Sequence, residues 1–218
     1  PGVSSGDILH REGQMWRPGV KSVHLGETEF CAQSIDIVQR ATEQQIPIRI
    51  LGAMAVYLHS SHRPEMLSRY RALERLGPGR PIFTDLDVVG YGDRQKDTAR
   101  FFQETMKFTP DFHLNALFSG RRNMFRHPDG LFDVDVFYDQ LSFSHDVRFR
   151  DALGGDRLDL DFPTITLADI VLEKLQIHHI NRKDLVDLFM ILSAHDVASA
   201  PGQDRVDGGY VARVLRQD

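Results

Sequence analysis

Two aspartates at one spacing are the most informative residues of this chain. In Thr84-Asp85-Leu86-Asp87-Val88-Val89 the side-chain period of a strand puts Asp85 and Asp87 on one face and turns Leu86 and Val88 into a core. Neighbouring same-face carboxylates repel each other, and a divalent cation relieves that repulsion. Such a pair can begin a two-metal phosphoryl-transfer site; a solvated strand end is the plain alternative.

Leu131 to Tyr138 alternates in the same way, with Phe132, Val134, Val136 and Tyr138 on one face and Asp133 and Asp135 on the other. Acids within so apolar a strand cost desolvation energy unless a metal, a donor network or a salt bridge to an arginine compensates. The sequence leaves these open. A third piece is Ile50-Leu51-Gly52-Ala53-Met54-Ala55, a strand entering a helix through a glycine, where a phosphate can approach the backbone and meet helix N–H groups. Neither a dinucleotide fingerprint nor a phosphate-binding loop ending in Gly-Lys-Ser/Thr occurs.

The elements that must position these residues follow from periodicity. Helical spacing predicts a helix over 28–45, ended by Pro47, then a strand over 48–51 and helical character over 53–59. Residues 61–82 form an arginine-rich insert carrying Arg63, Arg69, Arg71, Arg75 and Arg80, with an amphipathic helix through Met66, Tyr70 and Leu73. Strands are predicted at 82–89, 113–118, 123–126 and 131–138, with a helix over 94–106 capped by Asp93. After a loop around Gly154-Gly155, Thr166 to Asp169 and Asn181 to Asp184 read as capping boxes opening helices at 167–179 and 182–194.

The 218 residues carry 26 basic and 31 acidic side chains, a formal net charge of −5. That balance argues against a surface that binds nucleic acid everywhere, though a local basic patch is compatible with it. Cys31 is the single cysteine, which excludes an intrachain disulfide framework and suits a reducing cytosol. No stretch reaches the roughly 18 apolar residues of a membrane helix, and residues 1–27 contain no signal-peptide h-region. A soluble cytoplasmic protein without a membrane partner is the expectation.

Strand-Gly-helix, then Asp-x-Asp, then an acidic strand about 50 residues later resembles the nucleotidyltransferase superfamily, the DNA polymerase beta-like fold. The stretches Leu167 to Gln176, with Lys174, and Asn181 to Leu188, with Lys183-Asp184, are similar to the helical segment of its abortive-infection toxin-like branch. The resemblance covers roughly residues 46 to 194. Two departures stand out: the turn reads Gly-Ala where the family has Gly-Gly or Gly-Ser, and Gly52 lies 33 residues before Asp85, a longer interval than in compact members.

The Gly-, Ser- and charge-rich residues 1–27 read as a loosely structured lead-in, and the predicted elements as an α+β fold, a mixed β-sheet with flanking helices over 28–150 and a C-terminal helical unit over 151–218; the resemblance implies that 28–150 is a nucleotidyltransferase core. It implies that Asp85 and Asp87 hold two Mg²⁺ ions and that Asp135, with Asp133 as second choice, shares one of them. Gly52 and Ala53 would face the β- and γ-phosphates of a nucleoside triphosphate attacked in line at its α-phosphorus.

Lys174 lies on an apolar helix stripe, from which its amine reaches a phosphate or snorkels at the core edge. Lys183 and Asp184 read either as nucleotide-binding residues or as first-turn helix residues, and Arg121 and Arg122 as a phosphate clamp or an exposed turn. His145, His178 and His179 lack metal-ligand spacing.

The expected function is Mg²⁺-dependent transfer of a nucleoside monophosphate to an RNA 3′ end, a protein hydroxyl or a small molecule. The rivals are a catalytically silent nucleotide- or partner-binding module, such as half of a toxin-antitoxin pair with an antitoxin-like protein, and a metal-dependent nuclease using the same acids.

Overall fold

The computed structural model describes residues 25–150, 156–176, 180–202 and 204–216. Residues 1–24 of the lead-in, the Gly154-Gly155 loop and His178-His179 lie outside the described residues.

Helix α1 (Glu27–Glu43) stops as expected before Pro47, and β1 (Ile48–Ile50) follows. Gly52, at φ +67°, turns the chain into α2 (Gly52–Ser60). A side chain is strained at that angle. Pro64 occupies the first turn of α3 (Pro64–Ala72), where its missing N–H costs nothing. Strand β2 (Asp85–Gly90) leads to α4 (Gln95–Arg100), which widens into a π-turn over Phe101–Thr105. The wider turn lets the consecutive rings of Phe101 and Phe102 both be buried. Asp93 does not cap α4; its carboxylate pairs with Arg150 at 2.9 Å.

Short β3 (Thr109–Pro110) follows. Residues 113–117 of the segment predicted as a strand over 113–118 lie in helix α5 (Phe112–Leu117), where Asp111 accepts a hydrogen bond from the Leu114 N–H. The period-two pattern misled because tertiary contacts decided: the Asn115 side chain accepts from the Met124 N–H and donates to the Met124 carbonyl, filling the place of a strand partner. The helix leaves Phe112 and Leu117 exposed as a consequence.

Strands β4 (Arg122–Arg126) and β5 (Asp133–Tyr138) complete the main sheet, ordered β1-β2-β5-β4-β3. The pair β2/β5 is parallel and the other neighbours antiparallel, a mixed five-stranded sheet within an α+β fold of eight α-helices among the described residues. Its buried face carries Leu86, Val88, Val134, Val136 and Phe125. Phe102 stacks on Phe125 there at 4.8 Å, and Phe30 packs tilted against Phe132 at 5.0 Å.

Hairpin β6 (Gln140–Ser142) and β7 (Asp146–Arg148) follows. Thr164 then bridges Ile50 in parallel, fastening the C-terminal segment to the free edge of β1. Helices α6 (Leu167–Leu175) and α7 (Arg182–Ala194) start where Thr166 and Asn181 accept hydrogen bonds from the Asp169 and Asp184 N–H groups, and both pack on α2. The parallel pair β8 (Asp196–Ala198) and β9 (Arg205–Asp207) and helix α8 (Gly208–Leu215) close the fold. No described helix is long and apolar enough to cross a membrane.

Candidate active site

Register gathers the acids. Asp85 stands opposite Asp133 and Asp87 opposite Asp135 across the parallel β2/β5 pair, so all four carboxylates issue from the polar sheet face. Asp85 is exposed at the strand start, where its Oδ1 accepts the Thr84 hydroxyl hydrogen at 2.7 Å. Asp135 is buried.

Gly52 abuts this row. A Cβ on Gly52 would fall 2.7 Å from Asp87 Oδ2, so the turn and the carboxylate can be this close only with glycine. The Gly52 N–H, the first of α2, donates to Glu173 Oε2 at 3.1 Å. A side-chain anion therefore occupies the helix start, as the partial positive charge there favours.

Electrostatics follow from this crowding. Burial, then the charges of Asp85, Asp135 and Glu173, push the Asp87 carboxyl well above the usual carboxylate range, with Lys174 pulling the other way. Burial pushes Asp135 up to about 6 although Arg122 opposes it. Arg122 grips both Asp135 oxygens, and its guanidinium lies over the Phe118 and Phe137 rings at 5.5 and 5.1 Å. Asp133 pairs with Arg126 at 3.5 Å. Of the ways open to compensate the acids of β5, arginine salt bridges are present for both.

Lys174 neither snorkels nor reaches open solvent. It is 5% exposed, with Nζ 2.9 Å from Glu173, 3.2 Å from Asp187 and 3.5 Å from Asp184. Asp187 also accepts two bonds from Arg75, at 2.7 and 2.9 Å, and one from the Tyr70 hydroxyl at 2.5 Å. Burial by itself would lower Lys174 and Arg75, yet the surrounding carboxylates outweigh it and raise both. Burial would raise Asp187, but Lys174 and Arg75 hold it below the ordinary value.

The structure thus gathers Gly52, Asp85, Asp87, Asp135 and Arg122 at one place and links Lys174 to Asp184 behind it. Ala53 follows Gly52 in the first turn of α2. Arg121 is exposed at the turn before β4, and Lys183 is half-buried in the first turn of α7; neither meets the acids in the described contacts. Glu173, Asp187, Tyr70 and Arg75 belong to the network although no spacing singled them out, and only the neighbourhood of Lys174 and Asp184 hinted at the first two. Arg75 thereby leaves the insert's basic surface, while Arg63 pairs with Asp204 and Arg71 with Glu27.

No family model matches the chain, and no curated protein matches its sequence.

The donor set suits a hard divalent cation, since Asp85 and Asp87 offer carboxylate oxygens where burial, and then the neighbouring negative charges, raise Asp87. Among the described residues no three His, Cys, Asp or Glu side chains stand gathered around one metal position; both oxygens of Asp135 are turned to Arg122. Asp85 and Asp87 would supply the oxygens for an ion, and Asp135 would join them only once Arg122 lets go.

Proposed function

We propose that the chain is a nucleotidyltransferase of the DNA polymerase beta-like fold that moves a nucleoside monophosphate from a triphosphate to an acceptor hydroxyl. The observation that carries this reading is the packing of Gly52 onto Asp87, with Asp85 two residues away and Asp135 opposite on β5. A phosphate-receptive backbone turn and a carboxylate set thereby share one place, as an in-line displacement at phosphorus needs. The mixed sheet order supports it.

Asp85 and Asp87 would hold Mg²⁺, which would supply neutralising charge for the triphosphate. The Gly52 N–H binds a phosphate oxygen when Glu173 yields it. Arg122, released from Asp135, presents its fork to the phosphates. Asp135, relieved of the Arg122 grip that opposes the upward push of burial on its carboxyl, is then free to take the acceptor hydroxyl's proton. Oxygen bonds to the α-phosphorus as pyrophosphate leaves.

A second reading is favoured by specific contacts: Glu173 fills the helix start, Arg122 covers Asp135, and Lys174 is enclosed by three carboxylates. These suit a silent module that binds nucleotide or an antitoxin-like partner. Calorimetry with each triphosphate and Mg²⁺, followed by a pyrophosphate-release assay, separates the two. Turnover supports the enzyme, and binding without turnover supports the silent module.

A further inference from the structure

Beyond Asp133 the polar sheet face continues into a cleft of about 200 Å³ between the β3–α5 corner and β4, lined by Pro110, Asp111, Phe112, Met124, Arg126 and Asp133. Asp133 joins it to the acid row, standing opposite Asp85 on one side and Arg126 on the other.

Its position relative to Gly52 assigns it a side of the reaction. The Gly52 turn follows β1, which flanks β2 on one side, whereas β5, β4 and β3 lie on the other. In an in-line displacement the attacking and leaving oxygens lie on opposite sides of the phosphorus. With pyrophosphate departing toward Gly52, the attacking hydroxyl comes from the β5–β4 side, where the cleft opens.

The cleft walls define what it takes. Phe112 is 77% exposed, an open aromatic face of the kind on which bases stack. The Arg126 and Asp133 side chains are 56% and 47% exposed, offering donors and acceptors to a polar ring edge or a phosphate. A peptide could not add to the sheet at this edge over any length, because β3 is two residues long and one is Pro110.

We propose that this cleft is the acceptor site and that it takes a nucleobase, with Phe112 stacking on the ring and Arg126 contacting an adjoining phosphate. The direction of attack rests on the nucleotidyl-transfer reading; the preference for a base rests on the cleft itself. The acceptor oxygen bonds to the α-phosphorus, the bond from that phosphorus to pyrophosphate breaks, and the hydroxyl proton passes to Asp135. The base belongs either to an RNA 3′ end or to a free nucleoside.

The test uses the full chain and a short fluorescein-labelled single-stranded RNA with a free 3′ hydroxyl. Fluorescence anisotropy is expected to show Phe112→Ala weakening RNA binding about tenfold or more, with Phe112→Trp restoring it. Arg126→Ala should flatten the salt dependence by about one unit of slope. The exposed position of Phe112 leaves the fold intact, checked by an unchanged Tm. In turnover, Phe112→Ala should raise the KM for acceptor and leave that for triphosphate unmoved. Competition by nucleosides as strong as by the strand assigns the free nucleoside; competition by the strand alone assigns the RNA end.

RNA binding and acceptor KM unchanged in Phe112→Ala, or label from the triphosphate found only on protein, would overturn the proposal. RNA bound through Phe112 with no turnover of any triphosphate would uphold the base cleft and sink the transfer reading. Turnover indifferent to Phe112 would do the reverse.

Discussion

Gly52 and Asp87 are packed so closely that a Cβ on the first would lie 2.7 Å from Oδ2 of the second. The strand-to-helix turn and the acid strand, separated by the whole insert in sequence, are therefore a single structural unit. Gly52→Ala tests that unit twice over, since the φ of +67° strains any side chain and the new methyl displaces the carboxylate. The expected cost is about 1–2 kcal/mol of stability from the backbone, together with a loss of transfer activity larger than stability explains. Denaturation midpoints and pyrophosphate release measured on one preparation check it.

Asp87 makes a pH prediction with a definite sign. An acid whose folded pKa is raised keeps its proton longer in the native than in the unfolded state, so its contribution favours the fold at low pH and is lost as pH rises through the folded value. Asp87 and Asp135 are both raised, and for Asp135 the window runs from the ordinary 3.8 to about 6. Asp187 works in the opposite sense, being lowered. Asp87→Asn should raise Tm at pH 7 without divalent cation and show less effect near pH 4. Mg²⁺ should raise the Tm of the parent protein at pH 7 and not that of the variant.

Lys174 is expected to act through its surroundings. Lys174→Met leaves Glu173, Asp184 and Asp187 facing one another in a buried space, a loss of about 3–5 kcal/mol for a broken buried ion network. Urea denaturation should show that loss. Asp85→Asn, at an exposed position, should stay within about 0.5 kcal/mol of the parent. A Lys174 variant with an unmoved urea midpoint would contradict the enclosed network.

Glu173 takes the Gly52 N–H at which the proposed triphosphate would bind. Glu173→Gln keeps an acceptor but removes the charge, so inorganic tripolyphosphate should bind about two- to fivefold more tightly by calorimetry. Equal or weaker binding would show that the helix start does not receive the phosphates.

Much of the framework was legible because the deciding signals are local. Thr166 and Asn181 announced helix starts by cap chemistry, Pro47 an end, and the alternation of Phe132 to Tyr138 a strand with acids on one face. The convergence of Asp87 with Asp135 was legible as a pattern of acids, but their register was not, since pairing depends on residues far apart in sequence. The Arg122 grip on Asp135 was one of several compensations the sequence left open. The Tyr70–Arg75–Asp187 cluster was invisible because it joins the insert to α7 across more than a hundred residues, and α5 was misread because Asn115 answers to Met124 rather than to its own neighbours in sequence.

Pyrophosphate release reads out whether Asp85, Asp87 and the Gly52 turn work as one phosphoryl-transfer site. With each nucleoside triphosphate, Mg²⁺ and a total RNA and protein extract, the parent chain is predicted to release pyrophosphate and label one fraction. Asp85→Ala and Asp87→Ala, folded as judged by Tm, are predicted to do neither. Undiminished pyrophosphate release and labelling in both variants would contradict the account.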